Sequence, residues 1–138
     1  MSGARDDEAA AGAGKAVVNS PLVKTAVCGN DPNVGRLAGA IGDWAGSAAP
    51  WLDPASVAVR MGGVEVLAGG VFRLDAAKEE RLSAYLRGAG FDPAVLGFPA
   101  HDRCVDIEVS LGDGPGTAVV LGSDLSAEYV RENADYRS

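Results

Sequence analysis

The stretch CVDIEVSLG sets the strongest constraint on this chain, because Val105, Ile107, Val109 and Leu111 alternate with Asp106, Glu108 and Ser110. Side chains on a strand point to opposite faces in turn, so the pattern describes one dry face and one wet one. A chain carrying such a strand must build a sheet and cover one side of it. The carboxylates of Asp106 and Glu108 fall on the wet side, where alternating acidic residues are ordinarily solvated.

The partners for that strand are readable nearby. Val57, Val59 and Met61 alternate with Ala58 and Arg60, and Gly62-Gly63 suits a two-residue hairpin turn into VEVL. After the strand, GDGPG predicts a turn and TAVVL a returning segment.

Helix punctuation surrounds these strands. Asp6, Asp7 and Glu8 favour a helix start, which predicts a first helix over Asp6 to Val18. Ser20 is placed to cap a second helix with Pro21 at its first position, and Gly29 to end it in a left-handed conformation. Asp31 and Pro32 repeat that signal for a third helix reaching about Trp44. Along it Gly35, Gly39, Gly42 and Gly46 form one stripe, expected to allow close packing, beside an apolar stripe of Leu37, Ile41 and Trp44. Asp75 opens a helix with Leu82, Tyr85, Leu86 and Ala89 at helical spacing, ended by Gly88 or Gly90. FDPAVLGFPAHD reads as a loop, and Ser126 caps a final helix whose Tyr129 and Val130 are expected to face inward. Together these elements predict an α+β fold: a small mixed sheet of hairpin-paired strands with helices packed on it. At 138 residues one domain, 1–138, is expected, large enough to fold without staples.

Composition narrows function mainly by exclusion. A formal net charge of −7, with no basic cluster, argues against a nucleic-acid partner. No apolar run approaches the roughly 20 residues that span a bilayer, so no membrane role is expected and the cytoplasm is the default location. Cys28 and Cys104 lack paired metal-site spacing and read as buried thiols, so neither metal nor cofactor is expected. AGAGKAVV fails the phosphate-loop pattern, since Ala9 and Ala16 stand where a glycine and a hydroxyl are required. The single histidine, His101, has no nucleophile motif near it and reads as a solvated loop residue. No catalytic residue is assigned. Ser2, exposed as an N-terminal hydroxyl by methionine removal, is a minor alternative as a nucleophile.

Two blocks carry a resemblance. NSPLVKTAVCGNDPNVGR resembles the SPLVKTA and DPNWGR motifs of the bifunctional ornithine acetyltransferase / glutamate N-acetyltransferase family, and GSDLSAEYVRENADYRS resembles its closing segment. The likeness extends from Ser2 onward and is to the C-terminal part of the family's beta chain. Members transfer an acetyl group from N-acetylornithine to glutamate through an acyl-enzyme on a threonine released by self-cleavage. Thr25 and Thr117, the two threonines here, lie in contexts unlike that cleavage site.

The resemblance therefore implies one half of an N-acyltransferase in arginine biosynthesis. An upstream, nucleophile-bearing chain would complete a hetero-oligomer. The family's substrate-contacting terminal Asn and Thr fall on Asn133 and Ser138, which the resemblance marks as substrate-binding residues for an amino acid. An amide and a terminal hydroxyl with its carboxylate could meet ammonium and carboxyl groups. Residue 34 departs from the pattern, with Val where the family has Trp. That departure motivates the alternative of a non-catalytic amino-acid-binding or scaffold module derived from the family.

Overall fold

Residues 1–90 and 103–134 are described by a computed structural model. FDPAVLGFPAHD, with His101, and the closing Asp135 to Ser138 lie outside the described residues.

Helix α1 (Asp7–Asn19) begins where the Asp6 carboxylate accepts the Ala9 N–H at 2.8 Å. Ala10, Ala13, Gly14 and Val17 recur at helical spacing and form its buried face. Helix α2 (Pro21–Cys28) starts on the Ser20 cap, with Pro21 in the first turn as expected. Its end differs from expectation. Gly29 has φ −80°, and Asn30 takes the left-handed place at φ +57°. The N–H of Asp31 then bonds the Ala26 carbonyl (2.9 Å) and that of Asn30 the Val27 carbonyl (3.1 Å), the two bonds of a Schellman ending.

Asp31 thus closes one helix rather than opening the next. Helix α3 (Val34–Ala48) is capped by Asn33, whose side chain accepts the Arg36 N–H, and it continues past Trp44 for another turn. Leu37 and Ile41 are buried, and α1 packs against both α2 and α3. The glycine stripe faces the other way. Gly35, Gly39, Gly42 and Gly46 are exposed, and a Cβ at any of the last three would meet nothing within 4 Å, which overturns the expected close packing.

A turn of 3-10 helix at Pro54–Ser56 leads into the sheet. Strands β1 (Ala58–Met61), β2 (Val64–Ala68), β3 (Val71–Phe72) and β4 (Ile107–Ser110) run antiparallel in the order β3-β2-β1-β4. Gly62 and Gly63 make the first hairpin with φ of +52° and +75°, as the primed turn requires. Helix α4 (Ala76–Ala89), capped by Asp75 and ended at Gly90, places Leu82 and Leu86 in the core. There they join Val59, Val66, Val109, Leu111 and Leu37 in one apolar cluster.

Beyond β4 the N-terminal residues supply the parallel component of the sheet. Ser2 bridges Ser110 in parallel, its N–H bonding the Val109 carbonyl while its carbonyl accepts the Leu111 N–H, both at 2.9 Å. On their other side, residues 1–4 pair antiparallel with 114–118. The segment after GDGPG therefore returns beside the N-terminal residues, which separate it from the strand it follows. The α+β class stands.

Candidate functional site

The two motif blocks meet at one corner of the fold. Ser20 caps α2, the Asn33 amide bonds the Asp31 carboxylate at 3.0 Å, and Asn33 caps α3. Arg36 then reaches back across the corner, donating from Nη1 to the Leu22 carbonyl (3.0 Å) and the Thr25 hydroxyl (3.2 Å). The Thr25 hydroxyl is itself turned onto its own helix, bonding the Pro21 and Leu22 carbonyls. SPLVKTA and DPNVGR are thus tied by caps and one guanidinium clamp. Val34 is only 4% exposed, so this corner is closed with the smaller residue in place.

The closing block docks on the end of α2. The Leu125 N–H points to the Lys24 carbonyl at 3.5 Å, and the Cys28 thiol lies beside Asp124 and the start of helix α5 (Ala127–Ala134). Partial burial pushes that thiol up, and the Asp124 charge adds to the rise. Cys28 is half-buried and Cys104 exposed, so the expected pair of buried thiols is not found.

α5 itself starts on the Ser126 hydroxyl, which accepts the Tyr129 N–H at 3.0 Å. None of its side chains is buried. Tyr129 and Val130, expected inward, are 59% and 49% exposed. Of the two predicted substrate residues, Ser138 lies outside the described residues. Asn133 is exposed on α5, with its Nδ2 donating to the Tyr129 carbonyl one turn earlier at 2.8 Å. Among the described residues that bond occupies one donor of the amide, which also carries an acceptor oxygen and a second N–H.

Apolar exposure continues from α5 along the chain before it. Val119 is 91% and Leu121 83% exposed, while Val120 between them turns in against Gly14 of α1. A shallow cleft of about 330 Å³ lies elsewhere, between Gly3, Arg5, Trp51, Asp53, Ser56 and Leu111. Asn133 does not line it, and the Arg5 guanidinium sits 5.7 Å from the Trp51 ring centre. Among the described residues no three His, Cys, Asp or Glu side chains converge as metal ligands, and no helix is long and apolar enough to cross a membrane.

Sequence reasoning missed the Arg36 clamp and the exposure of the closing segment. The first had a signal in the spacing of GR behind the Asn33 cap. The second had none, since an amphipathic helix reads alike whichever surface covers it.

Comparison with known proteins gives a consistent result. Residues 1–138 match the model of the ArgJ family. The arginine biosynthesis bifunctional protein ArgJ of Parasynechococcus marenigrum is 37% identical over 136 residues, which are 99% of this chain and 28% of that protein. The glutamate N-acetyltransferase Oat2 of Streptomyces clavuligerus is 42% identical over 139 residues, 99% of this chain and 31% of that protein. The crystal structure of the arginine biosynthesis bifunctional protein argJ of Bacillus halodurans has a TM-score of 0.75 at 34% identity, over 97% of this chain and 54% of that one. The chain thus spans less than a third of the length of these curated relatives.

Proposed function

The chain belongs to the ArgJ family, and on that premise we propose that it forms the C-terminal part of an N-acyltransferase. The reaction moves an acetyl group between an N-acetylornithine-like donor and a glutamate-like acceptor, in the context of arginine biosynthesis in the cytoplasm. In this reading residues 1–138 are one domain with no catalytic residue of its own. A separate upstream chain brings the threonine nucleophile and the groups that stabilise the oxyanion. Asn133 and Ser138 help to hold the amino-acid substrate.

The observation that carries the reading is the match to Oat2 and its relatives over 99% of this chain and less than a third of theirs. The bare surface of α5 supports it, since a helix with no buried side chain is stable chiefly when something covers its apolar face.

Mixing the full chain with the portion of Oat2 that precedes the matched region tests the reading. Acetyl transfer from N-acetylornithine to glutamate is expected in the mixture and in neither component alone. In that mixture Asn133→Ala is expected to raise KM for the amino acid about tenfold, the loss of one or two hydrogen bonds to a charged ligand. Absence of association, or association without transfer, would remove the proposal. Val34, buried where the family has Trp, favours a second reading as a non-catalytic amino-acid-binding or scaffold module. A ligand-induced rise in Tm with ornithine or glutamate and no partner present would select it.

A further inference from the structure

We propose that Ala118–Gly122 is an open sheet edge that accepts an antiparallel β-strand from the nucleophile-bearing portion of the enzyme. The inference rests on the function proposed above and adds where and how the two parts join.

Met1 and Ala118 exchange both backbone hydrogen bonds, Met1 N to the Ala118 carbonyl at 2.9 Å and Ala118 N to the Met1 carbonyl at 3.1 Å. Backbone groups on a strand alternate in direction, so the N–H and C=O of Val120 and Gly122 face the same edge as those of Ala118. Among the described residues, none from Val119 to Asp124 has a backbone hydrogen bond, and the next is that of Leu125 with Lys24. From Thr117 to Leu121 the run also alternates in exposure as a strand does, and Gly122 after it is exposed. Thr117, Val119 and Leu121 face outward, while Ala118 and Val120 are half-buried.

An unpaired edge beside two almost fully exposed branched side chains is the surface that strand addition uses. The occupant follows from three facts. The edge continues the antiparallel ladder that residues 1–4 form with 114–118, so an incoming strand would extend that ladder and place one of its residues opposite Val120. More than two-thirds of ArgJ of Parasynechococcus marenigrum and of Oat2 lies outside the matched region, so there is protein to supply that strand. Val119 and Leu121 require apolar, β-branched or aromatic residues on the incoming strand's outer face.

The test uses the full chain, alone and with the portion of Oat2 preceding the matched region, with amide hydrogen exchange read residue by residue. On mixing, exchange at Val120 and Gly122 is expected to slow by about tenfold or more, as on joining a ladder. V119K/L121K alters two solvent-exposed side chains, so its Tm alone should match the parent while its dissociation constant rises about tenfold. Val120→Pro, which removes a ladder donor, should weaken association by a similar factor.

Association with acetyl transfer, yet with these amides still exchanging fast and V119K/L121K binding as the parent does, would overturn the edge and leave the proposed function standing. No association at all would remove both. Slow exchange at Val120 and Gly122 in the dilute chain alone would mean that the edge is already filled from within, and would overturn the inference. Concentration-dependent protection abolished by V119K/L121K would assign the edge to a second copy and overturn it too.

Discussion

Replacing Gly62 by Ala measures how far the first hairpin, α4 and β4 form one unit. Gly62 sits at φ +52°, where an L side chain costs about 1–2 kcal/mol. Its Cβ would also fall 2.8 to 3.0 Å from three atoms of the Tyr85 ring, so the ring must move. The Tyr85 hydroxyl accepts the Asp106 N–H at 2.9 Å, and Gly62 N–H bonds the Asp106 carbonyl at 3.0 Å. Displacing the ring therefore adds the loss of a hydrogen bond, about 1 kcal/mol. The total is about 2–3 kcal/mol. Gly63, at φ +75° and with open space within 4 Å of where a methyl group would stand, carries only the conformational cost of about 1–2 kcal/mol. Urea unfolding of G62A, G63A, Y85F and G62A/Y85F gives both the gap and the coupling. G62A should fall below G63A by about 1 kcal/mol, and G62A with Y85F should be less than additive by about 0.5–1 kcal/mol. Equal losses for the two glycines, or strict additivity with Y85F, would refute the ring-displacement argument.

Three further outcomes are expected. The Ala9 N–H, and then Arg5, hold the Asp6 carboxyl below its ordinary value, so its stabilisation is fully present above about pH 4 and is lost as pH falls through the lowered folded value. Asp6→Ala should accordingly lower Tm at pH 7 and converge with the parent in acid, and a pH-independent difference would contradict it. Arg36→Ala should reduce stability by about 1–2 kcal/mol through its bonds to Leu22 and Thr25, and Arg36→Lys should recover less than half because an ammonium lacks the planar fork. Transfer per folded molecule in the reconstituted mixture should not change with either, whereas a drop in kcat would give Arg36 a catalytic part. At pH 8 Cys104 should be alkylated before Cys28, whose thiol is raised by burial and by Asp124, and Asp124→Asn should speed Cys28, as mass spectrometry of the labelled sites would show.

Helix starts were the most legible feature, because a cap is local chemistry. Ser20 and Ser126 each accept the backbone N–H expected of them, and Asp6 and Asp75, expected only to open helices, cap them from just outside. The failures there are one-residue competitions. Asn30 outcompetes Gly29 for the left-handed position, and the Schellman bonds then commit the Asp31 N–H to α2, so the cap of α3 passes to Asn33. The alternation from Val105 to Leu111 read true through Val109 and Leu111, which are buried. Its neighbour did not, because pairing with residues 1–4 is a contact across more than a hundred positions that no local pattern encodes.

The misread faces share one cause. Periodicity reports that a surface is apolar, never what covers it. Tyr129 and Val130 on α5 are expected inward and the glycines of α3 closely packed, yet all lie on the outside of the described chain, as do Val119 and Leu121 of the returning segment. Scattered exposed apolar residues are ordinary, but Val119, Leu121, Tyr129 and Val130 follow one another along a single closing segment. The core beneath them is already complete without them, with Leu37, Leu82, Leu86 and Leu111 buried in one cluster. Under the proposed function, that outer face is the one the upstream portion covers. Under the proposed function, the remaining amide groups of Asn133 would meet an amino acid only once the neighbouring face of α5 is covered.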